Sequence, residues 1–125
     1  MLNTPPVFAV YVSMLTLRWL KENGGVPAME KLNNRKAEAL YAAIDNSKIF
    51  KGTVVKEDRS KMNVCFVMEE AALEKKFLDY SKENNLYGIK GHRLSGGFRV
   101  SLYNALPLSS VEYFIDKMEA FEKNI

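Results

Sequence analysis

The chain has 125 residues, of which 47% are hydrophobic and 26% charged, with a formal net charge of +3. That is the size of one domain with enough apolar material to form a core, which argues against wholesale disorder and leaves no room for separate catalytic and cofactor domains. No uninterrupted apolar stretch reaches the roughly 18 residues of a membrane span, so no membrane partner is expected.

Thr4-Pro5-Pro6 reads as a helix start, with threonine as cap and prolines in the first turn. The helix should run to about Asn23, where Gly24-Gly25 supplies a left-handed stop. Its apolar residues, Val7, Phe8, Val10, Tyr11, Val12, Met14, Leu15 and Leu17, cover almost the whole circumference. Such a helix expects a partner surface. The run is broken by Ser13 and Thr16, and no basic residue precedes it, so it does not read as a signal peptide.

A second helix is expected from Pro27 to Asp45, with Met29, Leu32, Leu40, Tyr41 and Ile44 inward and Glu30, Lys31, Arg35, Lys36 and Glu38 on the wet side. Lys51-Gly52-Thr53 and Asp58-Arg59-Ser60 read as turns around a short extended piece. Met62 to Met68 is rich in β-formers and should be a strand. Ala71 to Asn84 is an amphipathic helix with Leu73, Phe77 and Leu78 inward. Short strands follow at Leu86 to Lys90 and Phe98 to Tyr103, joined by the loop Gly91 to Gly97; a last helix, capped by Ser109 or Ser110, runs to Lys123. The expected fold is α+β, in the order α-α-β-α-β-β-α, with about three largely antiparallel strands packed by helices mainly on one side. The single cysteine, Cys65, lies in an apolar run and reads as a small buried hydrophobe in a cytoplasmic protein.

Chemistry concentrates in one window. Between Glu83 and Glu112 there is no acidic residue, while Lys90, His92, Arg93, Arg99 and the glycines 88, 91, 96 and 97 all fall there. Arginines bind carboxylate or phosphate through paired charge-assisted hydrogen bonds, and glycines let backbone amides approach the same ligand. From spacing alone, an anion site and a solvated basic turn stand side by side. A metal site is not expected, because His92 is the only histidine and Cys65 is distant. Ser95 and Ser101 lack an acid to orient His92 as a base, so neither reads as a nucleophile. One basic turn without interleaved exposed aromatics argues against a nucleic-acid partner. At the other end, Asn3-Thr4-Pro5-Pro6 places polar groups at a helix N-terminus, which suits a phosphate and equally suits simple capping.

Taken together, Asn3-Thr4-Pro5-Pro6, Trp19-Leu20-Lys21 with Gly24-Gly25, Ser60-Lys61-Met62-Asn63-Val64 and Gly91-His92-Arg93-x-x-Gly96-Gly97-x-Arg99-x-Ser101-x-Tyr103-Asn104-Ala105 carry a resemblance. Over essentially all 125 residues the chain resembles the C-terminal part of the phosphoserine aminotransferases, pyridoxal-phosphate enzymes of fold type I. The last motif is the long and specific one.

The resemblance implies transfer of an amino group between glutamate and 3-phosphohydroxypyruvate in serine and pyridoxal phosphate biosynthesis, by a homodimer. It implies that Arg99 clamps the substrate α-carboxylate, and that His92 and Arg93 hold the substrate phosphate, in part across the dimer interface. Asn3 and Thr4 would touch the cofactor phosphate, also across that interface. Residues 1–24 would be a leading helix from an absent large domain and residues 25–125 the small domain. In the family the Schiff-base lysine follows a glutamine, and this chain contains no glutamine. The resemblance therefore implies no catalytic residue here, no tightly bound cofactor and no activity of the polypeptide alone. The competing reading is a stand-alone anion-binding or interaction module.

Overall fold

The structure is a computed structural model that describes residues 3–93 and 96–125. Leu94 and Ser95, inside the basic window, lie outside the described residues, as do Met1 and Leu2. The elements are helices α1 (Val7–Glu22) and α2 (Gly25–Asn46), strand β1 (Phe50–Gly52), a 3-10 turn at Lys56–Asp58, strand β2 (Asn63–Met68), helix α3 (Ala71–Glu83), strand β3 (Phe98–Ser101) and helix α4 (Leu108–Lys123). The chain divides into two compact units, Met1–Leu32 and Asn33–Ile125.

In the first unit, α1 begins later than the sequence suggests. Pro6 is its cap residue and no side chain caps it, so Thr4 is not the cap and the prolines precede the first turn. Gly24 and Gly25 do take positive φ, at 90° and 70°, and separate α1 from α2. No residue of α1 is buried: Val7 is 67% exposed and Phe8 81%. Most of the apolar pattern is thus exposed apolar surface, with Met14 and Leu20 half-buried.

In the second unit, the three strands form one antiparallel sheet in the order β1-β2-β3. The α+β class and strand count are those expected, but the order is α-α-β-β-α-β-α. The third strand is Phe50–Gly52 rather than 86–90, so Lys51 and Gly52 belong to a strand and not to a turn. The expected strand at Leu86 to Lys90 is reduced to a single bridge, Lys90 to Phe98. Positive φ at Asn85 (59°) and Gly88 (74°) breaks the extension there.

One Phe comes from each strand: Phe50, Phe66 and Phe98. Phe66 and Phe98 are direct cross-strand partners with ring centroids 5.1 Å apart. Phe77 of α3 lies edge-on to Phe50 (4.9 Å), Phe98 (5.3 Å) and Phe121 of α4 (5.0 Å). Each fully buried ring contributes roughly 1.5–3 kcal/mol through burial, plus about 1 kcal/mol for a well-set aromatic pair. Ala37, Leu40 and Ile44 of α2 join this core, as do Val111, Phe114 and Met118 of α4. Pro107 rather than Ser109 or Ser110 stands at the start of α4, without a side-chain cap. The other sheet face carries Cys65, Val67, Arg99 and Ser101, none fully buried, so Cys65 is only partly covered.

Lys36 departs most from expectation. It belongs to the supposed wet face of α2 yet is 0% exposed. Helical periodicity explains it, since Leu32, Lys36 and Leu40 lie one turn apart along one stripe.

Two local devices hold the loops. Arg59 donates from Nη1 and Nη2 to both carboxylate oxygens of Asp45, at 2.7 and 2.6 Å, and its guanidinium lies 4.5 Å over the Tyr41 ring. This pins the segment between β1 and β2 to the end of α2. Between Lys90 and Phe98 the chain forms a hairpin closed by Gly91 N–H to Gly97 O (2.8 Å), Gly96 N–H to His92 O (2.9 Å) and Arg99 N–H to Ile89 O (2.8 Å). A Cβ on Gly97 would stand 2.7 Å from Phe66 O, and Gly97 has φ +61°. Gly96 has φ +66° with open space around its Cα.

Two outcomes follow for stability. Gly96→Ala is expected to cost about 1–2 kcal/mol, the left-handed penalty alone, and Gly97→Ala clearly more, because backbone must also move. Denaturant melts of the two variants check the ranking. Asp45→Asn should cost roughly 1 kcal/mol at neutral pH, the upper range for a partly exposed pair with two-point geometry. Hydrogen bonds from Arg59 hold the Asp45 carboxyl below its ordinary 3.8. The pair therefore stabilises the fold above that ordinary value and ceases to do so as pH falls through the lowered one. Melts in acid should show wild type and Asp45→Asn converging.

Candidate functional site

Alternation along β3 sets the site. Phe98 turns into the core, so Arg99 turns to the open face, where Cys65 is its cross-strand partner. The next outward residue, Ser101, donates from Oγ to Asn63 Oδ1 at 3.0 Å, tying β3 to β2 on that same face. Arg99 is exposed, and its guanidinium has no ion-pair partner among the described residues. It lines a concavity of about 430 Å³ together with Tyr87, Ile89, Ser101, Tyr103 and Leu106. No carboxylate lines that hollow among the described residues. A cationic, acid-free depression is suited to an anion with an apolar portion, and a planar guanidinium can take a carboxylate at two points.

His92 and Arg93 are exposed at the tip of the hairpin that leads into β3. Lys90, at the hairpin base, is exposed as well. The second unit thus brings Lys90, His92, Arg93 and Arg99 onto one hairpin and its strand. It does so by folding the glycines tightly, since a Cβ on Gly91 would collide with the Gly96 carbonyl oxygen. Asn3 and Thr4 are exposed in the first unit, immediately ahead of α1. No group of three or more potential metal ligands occurs among the described residues.

Sequence reasoning missed Lys36. Its Nζ donates to Leu102 O (3.2 Å), Tyr103 O (2.9 Å) and Leu106 O (3.2 Å), and burial pushes its pKa below the usual 10.5. Those carbonyls lie in the segment leaving β3, beside the concavity. The available signal was a lone lysine inside the apolar stripe of α2.

The class-V aminotransferase family matches residues 1–114. The phosphoserine aminotransferase of Porphyromonas gingivalis is 56% identical over 124 residues, covering 98% of this chain and 34% of its own length. That of Bacteroides thetaiotaomicron is 54% identical over 125 residues, covering 98% and 35%. Among solved structures, the phosphoserine aminotransferase of Bacillus circulans subsp. alkalophilus has a TM-score of 0.94 at 40% identity, covering 98% of this chain and 34% of that one. The pyridoxal-phosphate-bound enzyme of Trichomonas vaginalis has a TM-score of 0.88 at 37% identity, covering 95% and 34%. The chain spans about a third of the length of the curated relatives it matches. It belongs to the class-V aminotransferase family, and over nearly all its length it is similar to one third of a phosphoserine aminotransferase.

Proposed function

We propose that this chain supplies the substrate-anion recognition of a phosphoserine aminotransferase, the enzyme exchanging an amino group between glutamate and 3-phosphohydroxypyruvate in serine biosynthesis. Residues 25–125 act as the small domain and residues 1–24 as the helix that leads into it. The observation that carries the reading is an exposed Arg99, without an ion-pair partner among the described residues, lining a concavity in which none of the described lining residues is acidic. Arg99 grips the α-carboxylate of the substrate through two parallel hydrogen bonds. His92 and Arg93 receive the phosphate at the hairpin tip, in part for the other subunit of a homodimer. The absence of acidic residues from 84 to 111 keeps that end of the substrate from being repelled.

The chain fits pyridoxal phosphate at one edge. Asn3 and Thr4 are exposed donors, and the first N–H groups of α1 carry no side-chain cap, which suits the cofactor's phosphate. The covalent anchor is another matter, since no Gln-Lys pair exists in the sequence. When bound, the cofactor supplies an electron sink at the substrate α-carbon. This polypeptide contributes grip and orientation to that chemistry and no proton-shuttling lysine.

Two measurements test the reading. Titration with O-phospho-L-serine, followed by amide chemical shifts, is expected to move residues of the hairpin and β3. Arg99→Ala should weaken that binding by roughly tenfold to a hundredfold, the value of hydrogen bonds to a charged group. Unchanged affinity in Arg99→Ala would remove the assigned carboxylate clamp. Supplied with pyridoxal phosphate, glutamate and 3-phosphohydroxypyruvate, the polypeptide alone should form no phosphoserine above blank.

A further inference from the structure

The three carbonyls around Lys36 come from one short stretch, the exit from β3 toward α4. An ammonium has three N–H donors, and here each has one acceptor. None of the acceptors is a carboxylate, so no opposite charge explains the burial. A buried ammonium without partners is costly, and methionine would fill a similar volume without that cost. Lysine adds direction, because its bonds close only where the three carbonyls converge on one point.

The same helix ties the same stretch a second time. One turn before Lys36, Asn33 donates from Nδ2 to Asn104 Oδ1 at 2.8 Å. Between them, Asn33 and Lys36 hold Leu102, Tyr103, Asn104 and Leu106. Leu102 is further fixed by its own N–H to Met62 O at 2.7 Å. Tyr103 and Leu106 are also walls of the concavity that Arg99 lines. What α2 holds in place is therefore part of the lining that Arg99 shares.

We propose that Lys36 is a positioning residue for anion recognition: by gathering the carbonyls of Leu102, Tyr103 and Leu106 it fixes the stretch that lines the concavity together with Arg99, and so the space in which Arg99 takes a carboxylate. The proposal rests on the anion-site reading given above. Recognition geometry of this kind depends on supporting groups that hold the contact residues to within about half an ångström.

The test uses Lys36→Met, Asn33→Ala, Arg99→Ala and the double variant Lys36→Met/Arg99→Ala, with O-phospho-L-serine as probe. Amide hydrogen exchange at Arg99 and Leu106 should accelerate about tenfold or more in Lys36→Met, while amides of the β1–β2 pairing remain protected. Affinity for the probe should fall about tenfold. In the Arg99→Ala background the same substitution should add little, since its effect is routed through Arg99. Asn33→Ala, which removes only an exposed hydrogen bond, should act in the same direction more weakly, and it decides the matter if Lys36→Met does not fold. Wild type failing to bind the probe would overturn the anion-site reading and this role with it. Binding by wild type that Lys36→Met and Asn33→Ala leave unchanged would overturn the role of Lys36 alone. So would a loss of equal size with and without Arg99.

Discussion

The contact between Phe66 and Phe98 decides both the stability of the second unit and where its chemistry faces. Stacked at 5.1 Å across β2 and β3, the two rings join Phe77 in a cluster that draws on every strand and on two helices. A slip of one residue in the β2–β3 register would expose Phe98 and bury Arg99. Losing a ring from the core and placing an unpaired guanidinium in it are both prohibitive. Core formation and the presentation of a cation to solvent are thus one structural decision.

Around that decision, small devices fix the backbone. Gly91 and Gly97 allow the hairpin to lie against its own return strand and against β2 without side chains between them. Lys36 and Asn33 hold the outgoing segment from the opposite side. Arg99 therefore emerges from a short strand whose entry and exit are both pinned. A guanidinium on a stem of three methylenes is mobile by nature, and pinning its root is how a fold limits that freedom. The chain is similar to about a third of a phosphoserine aminotransferase, and the proposed carboxylate grip of Arg99 rests on this arrangement.

Much of this was legible from residue pattern, and the failures have physical causes. Helical periodicity located α2, α3 and α4 within a few residues, and alternation in Phe98 to Ser101 placed Arg99 outward. β1 was missed because three residues carry no periodicity; it exists through its pairing with distant Val67 and Met68. The apolar segment before the hairpin read as a strand, yet left-handed backbone at Asn85 and Gly88 interrupts it. At Lys36 charge points to water while its position in the helical stripe points inward. Its burial depends on three carbonyls some 66 to 70 residues away, which no local window contains. Thr4 does not cap α1 because Pro5 and Pro6 stand between it and the first helical residue, Val7.

The brevity of β1 has a consequence of its own. An outer strand normally presents a row of unsatisfied donors and acceptors to which another chain can add. Here that strand has three residues, with Lys51 and Gly52 exposed, too short a template for a neighbour to extend. The opposite margin is partly occupied by the hairpin through Ile89 and Lys90. Fibril-like growth by strand addition is therefore disfavoured at both margins of the sheet, and the exposed apolar side chains of α1 offer instead a contact that weakens on cooling rather than a backbone ladder.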